Sequence, residues 1–101
     1  MKKIALVPDK PFHNNVDVAV MDFPDEENRE TKRKRCGITV EFAESDVDDL
    51  KARGMDLEAA MKYYEDYIYK LVKVNISSEW ECVEGWEQVM GTVREHVSAY
   101  F

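Results

Sequence analysis

The spacing of apolar side chains changes after residue 43, and this change constrains the fold more than any other feature of the sequence. Before that point, apolar residues alternate with polar ones or form short β-branched runs, which is the spacing of strands. From residue 45 onwards they recur every three or four residues, which is the spacing of amphipathic helices. A strand-forming segment followed by a helix-forming segment predicts an α+β fold.

Three strands are predicted in the first half of the chain, over residues 4–7, 16–23 and 36–43. The middle segment is apolar on both faces, which indicates a central strand that is covered on both sides or lies at a dimer contact. The third segment alternates cleanly and places Ile38 and Val40 on one face. The simplest arrangement pairs the second and third strands antiparallel.

Three helices are predicted after residue 44. Ser45 with Asp48 indicates the start of a short helix, and Gly54 provides a left-handed end for it. Asp56 is a suitable cap for a second, longer helix, and residues 86–101 form the third. The apolar stripe of the second helix contains Leu57, Ala60, Met61, Tyr64, Ile68, Leu71 and Val72.

Residues 72–83 fit two kinds of structure. Their apolar side chains alternate with polar ones, which is strand spacing. Ser78 and Glu81 also match a capping box, which would begin a helix. We predict a strand over part of residues 73–83.

No internal repeat or linker is visible, so residues 1–101 are predicted to form a single domain. The predicted architecture is an antiparallel sheet of three to four strands from the N-terminal half. This sheet packs against two longer helices from the C-terminal half, with one short helix between them in the chain.

Composition excludes several classes of protein. Of the 101 residues 45% are hydrophobic, which excludes a disordered tail. No apolar run approaches the roughly 20 residues of a membrane helix. The sequence contains two cysteines, and Pro8 and Asp9 interrupt the N-terminal apolar run before it reaches the length of an export signal. We therefore expect a cytoplasmic protein with reduced thiols.

The net charge of −7 is unevenly distributed along the chain. Residues 1–40 carry 8 basic and 7 acidic side chains, whereas residues 41–101 carry 6 basic and 14 acidic ones. A net acidic field repels phosphate, so we expect no binding to nucleic acid.

The most basic segment lies within residues 25–35, which contain no apolar side chain and are predicted to form an exposed hairpin connection. The alternative is that the ends of this connection extend the pairing of the flanking strands. No aromatic residue is interleaved there to stack on bases, and acidic residues lie beside it. A solvated loop is favoured over a nucleic-acid site, although the loop could also pair with the acidic helices of a second copy. Its basic residues are Arg29, Lys32, Arg33, Lys34 and Arg35.

The sequence contains no signature of catalysis or of metal binding. His13 and His96 share no zinc-site spacing with the two cysteines, and the 4 glycines form no phosphate-binding loop. Cys36 follows a basic run that would lower the pKa of its thiol, but its strand position predicts a buried structural thiol. We expect no metal, no cofactor and no catalytic residue, so an enzyme is not favoured.

Aromatic residues outside the apolar stripe are the main candidates for partner binding. Tyr63, Tyr67 and Tyr69 lie on the second helix beside charged residues, and Trp80 lies in the ambiguous segment. Tyr and Trp are enriched at interfaces because they bury a large ring while keeping a hydrogen-bonding group satisfied. The alternative is that these rings simply cover the sheet edge or the last helix.

A pocket between the sheet and the helices is the second candidate site, with Glu41 and Tyr64 as its polar contacts. Glu41 is a solvent-facing strand residue unless a helix covers that face of the sheet. Burial would in that case raise the pKa of Glu41.

Three classes of function follow from these observations. The favoured class is a non-catalytic, homodimerising binding module, because catalytic signatures are absent and aromatic surface is in surplus. One alternative is an acidic inhibitor that mimics nucleic acid. The other is a small enzyme or ligand carrier with a pocket between sheet and helices. Expected partners are a second copy of the chain or an unidentified protein.

Overall fold

The structure, a computed structural model, describes residues 2–8, 15–23, 33–76 and 79–101. Four strands and three helices lie within these ranges, which confirms the predicted α+β class. In chain order they are β1 (Lys2–Pro8), β2 (Asn15–Asp22), β3 (Arg33–Glu41), α1 (Glu44–Ala52), α2 (Leu57–Ile76), β4 (Trp80–Glu84) and α3 (Trp86–Ser98).

The four strands form one mixed sheet in the order β3-β2-β1-β4. The predicted antiparallel pairing of β2 with β3 is confirmed, and β1 also pairs antiparallel with β2. The expectation of a purely antiparallel sheet is wrong, because β4 pairs parallel with β1. The helices α1 and α2 form the connection from β3 to β4. A helical crossover of this kind lets β4 run in the same direction as β3, and therefore also parallel to β1.

The strand β3 begins at Arg33 and includes the end of the basic segment, as in the alternative of extended strand pairing. Arg33, Lys34 and Arg35 belong to the strand and not to a loop. Their side chains are exposed, and an edge strand tolerates such charges because only its backbone must pair. Arg29 and Lys32 lie outside the described residues.

The short helix α1 ends where the sequence indicates but begins differently. Ala43 occupies the N-cap position without a side-chain hydrogen bond, so the predicted capping role of Ser45 is wrong. At the other end Gly54 has a φ of 84° and donates its N–H to the Lys51 carbonyl at 2.9 Å. Met55 donates to the Leu50 carbonyl at 3.2 Å, which completes a Schellman motif.

The helix α2 follows directly, with Asp56 as its cap. The Asp56 carboxylate accepts a hydrogen bond from the Ala59 backbone N–H at 2.8 Å. The helix continues to Ile76, and the predicted strand over part of residues 73–83 is confirmed at residues 80–83. Ile68, Val72 and Ile76 are four residues apart and all buried, which extends the apolar stripe by one turn.

The core lies between one face of the sheet and the helices α2 and α3. None of the helices in the described ranges combines the length and apolar character needed to cross a bilayer. Fully buried side chains alternate along the strands and recur every four residues along the helices, as predicted. They include Ile4, Leu6, Val16, Val18, Val20, Val40, Phe42, Ile68, Val72, Val89, Val93 and Val97.

Candidate functional site

A cleft of about 220 Å³ lies where the end of β3 meets the helices α1 and α2. It combines three carboxylates, three tyrosine rings, one guanidinium group and one leucine. Its lining residues are Glu41, Asp46, Asp49, Leu50, Arg53, Tyr63, Tyr64 and Tyr67.

Side chains spaced about one helical turn apart on α1 and α2 line the cleft. On α1 the spacing of Asp46, Asp49 and Arg53 is three and four residues, which places these side chains on one side of the helix. On α2, Tyr63 and Tyr67 are four residues apart and adjoin in the same way. The Schellman turn at the end of α1 reverses the chain, so both sets contribute to a single cleft.

Tyr64 forms the buried wall of the cleft. Only 3% of the residue is exposed, and its ring lies 5.0 Å from that of Phe42 and 5.3 Å from that of Tyr63. The rings of Tyr63 and Tyr64 are nearly perpendicular, at 84°. The two rings therefore form a corner.

The hydroxyl of Tyr64 has no hydrogen-bond partner among the described residues. In that part of the chain Asp22 Oδ1 is the one fully buried side-chain oxygen or nitrogen without a partner. The Tyr64 hydroxyl is therefore open to the cleft, and a polar group that lacks a partner in such a setting is available for a ligand.

Burial raises the pKa of Tyr64 to about 12, and the neighbouring Asp46 carboxylate acts in the same direction. The hydroxyl consequently stays protonated at neutral pH. Because the ordinary pKa is 10.0, the unfolded chain loses this proton at a lower pH than the folded chain. The contribution of Tyr64 to stability is complete below pH 10 and is lost between pH 10 and about 12.

We expect Tyr64→Phe to remove this alkaline loss of stability. Denaturant unfolding at pH 8 and pH 11 should show a larger decrease for the native chain than for the variant. Absorbance titration should also lose one tyrosinate step near pH 12. An identical pH dependence in the two proteins would contradict the assignment.

The charges of the cleft are not balanced. Arg53 forms an ion pair with Asp49 at 3.1 Å, and both side chains are more than half exposed. No described cation forms an ion pair with Glu41 or Asp46. The cleft therefore carries a negative potential at neutral pH.

The structure brings some of the predicted site residues together and separates others. Glu41, Tyr63, Tyr64 and Tyr67 all line the cleft, although they were predicted as parts of two different sites. Glu41 is exposed, as expected for a solvent-facing strand residue.

Tyr69 lies on another side of α2. Its ring packs against that of Trp80, with the ring centroids 4.8 Å apart, at the edge strand β4. Tyr69 is about half exposed, whereas Trp80 is partly buried. This pair corresponds to the alternative prediction, in which aromatic rings cover the sheet edge.

The three described residues of the predicted basic segment lie at the opposite end of β3 from the cleft. Arg35 forms an ion pair with Asp22 at 3.0 Å, and Arg33 and Lys34 are exposed on the strand. These side chains therefore contribute nothing to the lining of the cleft.

Sequence reasoning missed Asp46, Asp49 and Arg53 as site residues. The acidic residues were interpreted only as the favourable negative charges of a helix start, so their place in the lining of the cleft was missed. The spacing of three and four residues was a usable signal, since it puts all three side chains on one side of α1.

The two thiols lie outside the cleft, and the chain has no other cysteine. Burial is the main cause that raises the pKa of Cys36 and that of Cys82, which disfavours the reactive thiolate. Cys82 lines a shallower depression at the start of α3, where its thiol donates to the Glu84 carbonyl at 3.3 Å. Across the described residues no group of three or more His, Cys, Asp or Glu side chains is arranged to hold a metal ion.

Comparisons with protein-family models, with curated proteins and with solved structures give no match for this chain.

Proposed function

We propose that this protein is a non-catalytic, homodimerising binding module whose ligand site is the cleft between α1, α2 and the end of β3. The observation that supports a ligand site is the convergence on one concave surface of three tyrosine rings and two carboxylates that form no ion pair with a described residue. The lining contains no Ser, Cys, His or Lys side chain, so it holds neither a Ser–His or Cys–His pair nor a lysine that could form a Schiff base. An open tyrosine hydroxyl and partly exposed rings suit the recognition of a ligand.

A panel of small ligands tests the binding function. Cationic, neutral and anionic compounds would be added to the isotope-labelled protein, and amide chemical shifts would be recorded. We expect at least one class to perturb the signals of Tyr63, Tyr64 and Tyr67 in a saturable way. Failure of every class to perturb the cleft at millimolar concentration would contradict the proposal.

The proposed dimer uses the sheet face opposite the helices. Strand register places Gly37, Ala19 and Val7 in one row across β3, β2 and β1 on that face. Val7 is 45% exposed, and a Cβ added at Gly37 would meet only the Val18 carbonyl oxygen, at 3.9 Å. The row consists of a glycine and two apolar residues without long side chains, which allows close approach of a second sheet.

Side chains of opposite charge lie on the two sides of this row. On one side lies Asp17, which accepts a hydrogen bond from Thr39 at 2.7 Å. On the other side lies Lys34, paired in register with Met21. A twofold axis through the central row would place Asp17 of one copy near Lys34 of the other, so the face is complementary to itself.

We expect Ala19→Glu to convert the dimer to a monomer. The twofold would bring two like charges together in an apolar contact, and the dissociation constant should rise by about 100-fold or more. Sedimentation equilibrium measures this change. Ala59→Glu, which adds the same charge on the exposed side of α2, should leave the dimer intact. A native chain that is monomeric at micromolar concentration would contradict the proposed dimer.

A cytoplasmic location completes the proposal. Cys36 and Cys82 are both free, and a reducing compartment would keep them so. An unidentified protein that presents a suitable side chain to the cleft remains part of the proposal as an alternative to a free ligand.

A further inference from the structure

We infer that the cleft binds an alkylated ammonium group, and this inference rests on the proposed function. Aromatic faces attract cations through the ring quadrupole, and sites for alkylated ammonium groups typically combine several rings with nearby carboxylates. The lining residues supply both features and carry no unpaired cation of their own.

The walls of the cleft have the geometry of a partial cage. The rings of Tyr63 and Tyr64 stand at 84° to each other, and Tyr67 adjoins Tyr63 one turn further along α2. Tyr63 and Tyr67 are each 41% exposed, so ring surface is accessible. No described cation lies over any of the three rings.

The carboxylates of the cleft that form no ion pair with a described residue determine that the ligand should be a cation. Glu41 and Asp46 have no ion-pair partner among the described residues, so an anionic ligand would be repelled and a cation attracted. An alkylated ammonium group suits this cleft better than a strongly hydrated ion, because its apolar surface can contact the rings. The charge attraction should weaken as ionic strength rises.

The hydroxyl of Tyr64, a buried residue whose oxygen is open to the cleft, gives a second, independent pointer to a ligand. Its residue is 97% buried, since only 3% is exposed, and the hydroxyl has no partner in the described part of the chain. The oxygen can accept a hydrogen bond from an ammonium N–H. A protonated tertiary amine would use this contact, whereas a quaternary ammonium group could not.

Calorimetric titration with choline tests the inference, with 3,3-dimethylbutanol as its neutral isostere. We expect choline to bind at least about 10-fold more tightly than the isostere, because the two differ chiefly in charge. Equal affinity for the two probes would overturn the inference. Trimethyllysine in a short peptide carries the same head group as choline, and the tighter of these two probes identifies whether the source is a free molecule or a protein side chain.

Matched variants assign the affinity to the cleft. Tyr67→Leu should weaken choline binding by about 2- to 30-fold, whereas Tyr69→Leu removes a ring outside the cleft and should not. Asp46→Asn should weaken binding, whereas Asp66→Asn, at an exposed position on α2, should not. Equal losses within either pair would overturn the inference.

Tyr64→Phe separates the role of the hydroxyl from that of the ring. It should weaken the binding of trimethylammonium and leave that of tetramethylammonium unchanged. If neutral or anionic compounds bind in the cleft and ammonium compounds do not, this inference fails while the proposed function stands. If no compound binds, both fail.

Discussion

Gly85→Ala is expected to lower the free energy of unfolding by roughly 3 kcal/mol or more. Gly85 has a φ of 92°, which costs any residue with a side chain. A Cβ at this position would also lie 1.7 Å from the Leu6 carbonyl oxygen, which belongs to the central strand β1. Relief of that overlap would require β1 or the start of α3 to move.

Two other glycines provide controls for this prediction. Gly54 has a similar φ of 84° but no atom within 4 Å of an added Cβ, so Gly54→Ala should cost only about 1–2 kcal/mol. Gly91 lies inside α3 with open space around it, and Gly91→Ala should stabilise the protein by about 1 kcal/mol. Urea unfolding of the three variants gives this order directly. Similar losses for Gly85→Ala and Gly54→Ala would show that the close approach to β1 is absent.

Phe42→Ala is expected to cost about 3–5 kcal/mol, because it removes a fully buried ring from the point where sheet, helices and cleft meet. The ring packs against Tyr64 at 5.0 Å and stacks with His96 at 5.3 Å. The Phe42 carbonyl also accepts a hydrogen bond from the Tyr100 hydroxyl at 3.2 Å, and the substitution leaves that backbone group in place. The loss therefore reports ring packing.

The matched control is Phe101→Ala. That ring is 43% exposed and has Lys51 Nζ 5.6 Å from its centroid, so its removal should change stability by less than about 1 kcal/mol. Thermal or denaturant unfolding measures both variants. A cost for Phe42→Ala as small as that for Phe101→Ala would contradict the placement of Phe42 in the core.

The elements predicted most accurately are those whose signal is local. The cap at Asp56 and the left-handed end at Gly54 depend on neighbouring backbone groups, and both are present in the structure. The stripe of α2 repeats over several turns, so a single misleading residue cannot disguise it. Period alone was enough to assign the α+β class.

The elements predicted least accurately depend on distant parts of the chain. The parallel pairing of β4 with β1 follows from the path of the chain through α1 and α2, which no spacing within residues 80–84 encodes. Residues 73–76 alternate like a strand, yet burial of Ile76 beneath the helix stripe decides in favour of α2.

The candidate site shows the same division. The sequence singled out Tyr63 and Tyr67 as rings outside the apolar stripe of α2. It named Glu41 and Tyr64 as polar contacts of a pocket between sheet and helices. Their assembly into one cleft could not be predicted, since it depends on the turn between α1 and α2.

Chemical-shift mapping with choline tests the central claim of a cation-binding cleft most directly. The backbone amides of Asp46, Tyr63, Tyr64 and Tyr67 should shift together, saturably, and with one dissociation constant. The amides of Tyr69 and Trp80, an aromatic pair outside the cleft, should remain unchanged. Saturable shifts centred on Tyr69 and Trp80, or no saturable shifts at all, would contradict the account.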